Sequence, residues 1–211
     1  MLNPEQVRYI HEKADELTRW MILESAKRFQ KVPPCKEGCS SCCYEPVIAE
    51  QGEIEVALEY AREHFTPEER EGLLSRIREA ALRLGTWGKV DEYERKVGEE
   101  KEDVSHLLRS YRALRLPCPF LDFDSGACRV YPVRPYSCRV HLALGPKRFC
   151  DEDALRPRQT YLLVPEEMAG HILEEALAQF SNGSAQVGFG LLPELLARVV
   201  PQGAKEAVRT P

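Results

Sequence analysis

No stretch of this sequence approaches the roughly 20 consecutive apolar residues that span a bilayer. Its opening residues, MLNPEQVRYIHEKADELTRW, lack the basic flank and unbroken apolar run of a secretory signal. The expectation is therefore a cytoplasmic protein with no membrane partner. An excess of positive charge is also missing. The formal net charge is -5, whereas domains that hold nucleic acid by bulk electrostatics concentrate basic residues on one face, so no nucleic-acid partner is expected. Glycine-rich phosphate loops are absent, because Gly183, Gly188 and Gly190 are too loosely spaced for either the P-loop or the dinucleotide pattern. No repeat of 20 to 50 residues recurs. The five histidines, His11, His64, His106, His141 and His171, sit singly, and no serine, histidine and acid arrangement stands out. Whether the chain is an enzyme is left open, with the balance toward a binding protein.

What the sequence has is sulfur. Four of its eight cysteines fall within the nine residues CKEGCSSCC, Cys35 to Cys43, and Cys118, Cys128, Cys138 and Cys150 follow far downstream. A chain of 211 residues can bury a sizeable core without disulfides. In a reducing compartment, closely spaced cysteines read as metal-binding or catalytic before they read as structural disulfides.

The expected architecture is mainly α: an irregular helical domain with a small antiparallel β-hairpin and a cysteine-rich metal site between helices. Residues 1-211 are read as a single domain, with a metal-binding core at about 33-150. Val7, Ile10, Ala14, Leu17 and Met21 recur at steps of three and four, which predicts an N-terminal helix over 4-30. Asn3, Pro4 and Gln6 supply its capping signals, and Pro33 and Pro34 end it. Ile54, Leu58 and Ala61 suggest a second helix; Thr66-Pro67-Glu68-Glu69 starts a third that stops at Gly85. Between Lys89 and Asp103, 11 of 15 residues are charged, so that segment cannot bury an apolar face. Helical periodicity returns from Leu107 to Leu116. The turn residues Asp124-Ser125-Gly126 then predict a hairpin within PFLDFDSGACRVY. The tail reads as a strand over 161-164, a helix over 165-180, a loop over 181-190 and a last short helix over 193-200, with the 165-200 segment packed on the core.

Cys39 and Cys42 form a C-x2-C pair, a spacing that lets both sulfurs face one ion. Cys35 precedes them by C-x3-C. Cys43 is the odd member, since neighbouring side chains diverge, so it either serves a second metal or bridges, or else the downstream cysteines complete the shell. Four thiolates around Zn2+ or an oxidised [4Fe-4S] cluster leave a net charge of -2. Arg134 and Arg139 are expected to offset that charge, donating to thiolates or to adjacent carbonyls. Cys150 and His141 are further candidates that spacing does not decide.

The run CKEGCSSCC followed by CPFLDFDSGACRVYPVRPYSCR resembles the CxxCxxCC cysteine-cluster family, described as a zinc- or iron-chelating domain. The resemblance spans roughly residues 33 to 140. It implies metal ligation by Cys35, Cys39, Cys42, Cys43, Cys118, Cys128 and Cys138, with Pro119, Phe120, Leu121, Tyr131, Arg134, Pro135 and Arg139 completing the motif. The C-x3-C spacing at Cys35 departs from the family pattern.

The leading expectation is thus a metal-binding protein that chelates zinc or iron through clustered thiolates, the ion locking two distant segments together. A structural zinc contributes ~10 to 16 kcal/mol, comparable to a whole domain's ~5 to 15, so metal loss would unfold residues 33 to 150. The alternatives are an iron-sulfur enzyme of redox or methyl-transfer type, distantly similar to flagellin lysine methylases, and a thiol redox sensor. A protein partner is not legible.

Overall fold

The computed structural model describes residues 2–30, 32–85, 110–143, 150 and 188–200. Five helices and two short strands frame these segments. Helix α1 is Pro4–Phe29, and its start carries the full capping box: Gln6 N donates to Asn3 Oδ1 at 3.0 Å while Asn3 N donates to Gln6 Oε1 at 2.8 Å. Val7, Ile10 and Ala14 bury the expected face.

After a 3-10 turn at Ser41–Tyr44, strand β1 (Ile48–Glu50) runs into helix α2 (Gln51–His64), and helix α3 (Pro67–Gly85) follows. The cap of α2 is acidic. Glu50 Oε2 accepts from Gly52 N at 2.6 Å, and Glu53 Oε2 accepts from Glu50 N at 3.0 Å. Gly52 is required there, because a Cβ would fall on the carbonyl oxygen of Leu2. Thr66 and Glu69 form the matching box at α3, with Thr66 N on Glu69 Oε2 at 2.7 Å.

A helical turn at residues 110–113 closes with Arg115 at φ 46. Beyond it the turn expected at Asp124-Ser125-Gly126 forms: Asp122 Oδ1 accepts from the N–H groups of Asp124 and Ser125, and Gly126 sits at φ 70. It carries one antiparallel bridge, Leu121↔Cys128, in place of a ladder. The chain then enters a 3-10 turn at Tyr131–Val133, where Pro132 cannot donate to a longer strand pair. Helix α4 (Tyr136–Val140) follows directly.

The paired strands lie elsewhere. β1 runs antiparallel to β2 (Phe189–Leu191), with Ile48 opposite Leu191 and Glu50 opposite Phe189. Residues 189 and 190, read from composition as the end of a loop, are strand because Gly190 lets the Leu195 side chain pack against the backbone and because Ile48 to Glu50 present a free edge. Helix α5 (Leu192–Val199) continues from β2, its first N–H bonded to Val47 O at 2.9 Å.

The main core lies between α2, α3 and α5. Ile54, Ala57, Ala61, Leu73, Ile77, Leu192, Leu195 and Leu196 meet Phe120 and Val130 there, and burying each large side chain contributes ~1.5 to 3 kcal/mol. Phe120 and Val130 each lie two residues from a cysteine, so this core anchors the downstream cysteine segment. The charged stretch 89-103, the strand over 161-164 and the helix over 165-180 fall outside the described residues.

Candidate metal centre

The 35–43 loop turns on local bonds: Cys39 N donates to Lys36 O at 3.0 Å and Cys43 N to Ser40 O at 2.9 Å. Gly38 takes φ 83, a conformation costly for other residues. Backbone of the downstream segment meets this loop at Cys43 and at Gly38. Cys118 N donates to Cys43 O at 2.7 Å, and Gly126 approaches Gly38 so closely that a Cβ there would stand 3.3 Å from the Gly38 carbonyl oxygen.

The two segments enclose a cavity of about 320 Å³. Cys35, Cys39, Cys42, Cys43, Cys128 and Cys138 line it, together with His141 and Cys150. Cys118 stands behind the wall, bonded to Cys43 through its main chain. Cys42 is the common neighbour: its charge acts on Cys35, Cys43, Cys118, Cys128 and Cys138. No disulfide joins any of the eight cysteines. Among the described residues, no three Cys, His, Asp or Glu side chains are drawn together tightly enough to hold one ion as they stand.

The divergence expected of Cys42 and Cys43 does not separate their sulfurs. On the 3-10 turn the Cys43 thiol donates to Cys42, which brings the Cys42 pKa down to about 7 and pushes that of Cys43 far up. Cys42 is therefore the readiest thiolate of the group. Burial pushes Cys118 up to about 12, and raises Cys35, Cys128 and Cys138 as well.

The surroundings fit a thiolate-bound metal. Ala143 N donates to Cys35 Sγ at 3.3 Å, Phe120 N to the Cys118 sulfur and Val130 N to the Cys128 sulfur. Such N–H donors stabilise sulfur in its charged form and fix its direction. Arg134 lies with its guanidinium 3.8 Å over the Tyr131 ring and acts electrostatically on Cys42 and Cys128.

Arg139 has a different setting. It is 4% exposed and is spent on oxygen: Nε on Arg134 O at 2.9 Å, Nη2 on Pro132 O at 2.5 Å and Nη1 on Asp15 Oδ2 at 2.7 Å. Thr18 Oγ1 donates to Arg139 O at 3.0 Å, a second tie from α1 to α4. Glu53 completes the mounting, because its Oε1 accepts from Tyr136 N at 2.6 Å and meets His11 Nε2 at 2.9 Å. Glu53 and Asp15 thus hold the short helix that carries Cys138. Sequence reasoning missed both, since a carboxylate is ordinarily read as solvated.

Two cysteine segments converging in loops between helices define a cysteine-lined metal-binding protein. The chain belongs to the CxxCxxCC family, "Putative zinc- or iron-chelating domain", whose match covers residues 34–160, more than half of its length. No curated protein and no solved structure matches it. Among the described residues, no helix is long and apolar enough to cross a membrane.

Proposed function

We propose that Cys35, Cys39, Cys42, Cys43, Cys118, Cys128 and Cys138 are the ligands of a zinc or iron centre, and that the protein works in a reducing compartment as a metal-binding module. The observation that carries this reading is the position of Cys42, whose thiol lies within electrostatic reach of sulfurs from both segments. The metal would supply a positive centre that neutralises the thiolates and cross-links the 35–43 loop to the 118–138 segment. The chain's own residues do the rest. Cys42 offers the first thiolate, the N–H groups of Ala143, Phe120 and Val130 orient three more sulfurs, and Arg134 offsets charge at Cys42 and Cys128. Ligation would require these side chains to rotate toward a common ion.

The test is elemental analysis with a visible absorption spectrum on protein purified without oxygen. A colourless protein with stoichiometric zinc, or a brown one with iron and labile sulfide, is the expected result and fixes the metal. Protein that retains no transition metal, or Cys39→Ser and Cys42→Ser variants that keep a full complement, would refute the assignment.

A further inference from the structure

Helix α3 brings a cation to the buried side of the site. Arg76 donates from Nε to the carbonyl of Pro119 at 2.8 Å, directly beside Cys118. Its Nη2 is buried and has no hydrogen-bond partner among the described residues. A buried donor left without a bond destabilises the fold, and a charged one more so. The neighbouring Arg129 has no acceptor to offer it, and is itself paired with Glu69 and stacked on the face of Phe65, 4.1 Å away. Arg76 also feels Asp122 and Cys118.

A neutral Cys118 thiol gives this guanidinium little to bind. Ligation changes that, because a metal takes sulfur as the thiolate and a buried negative charge then appears beside Pro119. Arg134 acts on Cys42 and Cys128 at the cavity wall, and Arg76 is a cation acting on Cys118 behind it.

We propose that Arg76 is a positioning residue of the metal centre: its Nε fixes the chain at Pro119, and its unpartnered Nη2 meets the negative charge that Cys118 carries as a ligand. This rests on the assignment of Cys118 to the centre. Unlike Arg134 and Arg139, Arg76 lies outside the cysteine motif, on an amphipathic helix over 40 positions upstream of Cys118.

The experiment compares the full-length wild type with R76Q, which keeps an N–H donor without charge, and R76K, which keeps charge without the planar fork. Zn2+ affinity is read by competition with a chelating dye, and urea unfolding of the metal-free proteins is read alongside. R76Q should bind Zn2+ roughly 10- to 100-fold more weakly, the loss of a hydrogen bond to a charged group, whereas R76K should stay within a few-fold of wild type. Equal losses in both variants, or no loss in either, would overturn the proposal, the first by making Arg76 a mere anchor for Pro119. Should R76Q fail to fold, R76K decides: near-native affinity supports the role of the charge, and lost binding ends it. A wild type that takes up no zinc and no iron would instead sink the assignment of the ligands.

Discussion

The main-chain N–H of Cys118 donates to the carbonyl of Cys43 at 2.7 Å, so backbone joins the two cysteine segments independently of their side chains. That bond narrows what metal loss should do. The sequence suggests unfolding of residues 33 to 150, but the core of Ile54, Ala57, Ile77, Leu195 and Leu196 is aliphatic and packs without the ion. Chelation is expected to lower the unfolding midpoint while leaving most of the far-UV helical signal. Complete loss of that signal on adding chelator would show that the core cannot stand alone.

Thiol reactivity should be uneven. In metal-free protein at pH 7, iodoacetamide is expected to modify Cys42 ahead of Cys118 and Cys138, because a hydrogen bond donated by the Cys43 thiol brings the Cys42 pKa down to about 7 while burial pushes that of Cys118 up to about 12. Peptide mass spectrometry after short exposure reads the order. Cys118 leading would contradict it.

Metal affinity should rise with pH. The folded protein keeps Cys35, Cys118, Cys128 and Cys138 protonated at neutral pH, since burial raises each of them. An ion must displace those protons, so raising the pH lowers the cost of each ligand and lowering it reverses the gain. Proton release on adding Zn2+ in weak buffer measures the number displaced. A pH-independent affinity would mean that these thiols are not ligands.

The tie between α1 and α4 has its own cost. Asp15→Ala leaves the Arg139 guanidinium buried without its carboxylate, and about 1 to 3 kcal/mol of stability should be lost. Arg139→Leu removes three hydrogen bonds at once and should cost more, about 3 kcal/mol at roughly 1 kcal/mol per bond. Urea unfolding at fixed metal load measures both. An Asp15→Ala protein as stable as wild type would show that the link is ornamental.

Gly126→Ala tests the contact between the loops. The substitution forces a side chain into a left-handed backbone, at about 1 to 2 kcal/mol, and presses its Cβ toward the Gly38 carbonyl oxygen. Lower stability together with weaker Zn2+ binding is expected, read by thermal melts and dye competition. Unchanged metal binding would detach the Gly126 turn from the site.

Local chemistry was legible in the sequence. The caps of α1 and α3 are sealed by residues three positions apart, and the Gly126 turn needs only its own five residues. Cysteine spacing likewise pointed to metal binding, because candidate ligands announce themselves by type, without fixing one centre or two. Distant partnerships left no such trace. Strands of three residues carry too little alternation to be read, and β1 and β2 meet across most of the chain. Glu53, Asp15 and Arg76 look like any charged helix residue until the fold surrounds them. Cys150, isolated along the chain, borders the same cavity as Cys35, Cys39, Cys42, Cys43, Cys128 and Cys138.

The pairing of Ile48 with Leu191 also sets an order of events on the ribosome. All eight thiols precede Phe189 in the chain, and translation needs on the order of ten seconds to cover the distance. The sulfurs therefore emerge before the strand and helix that complete their housing. A nascent chain meets the cell's thiol and metal pools as an open string of nucleophiles, and shielding during that interval falls to whatever escorts it.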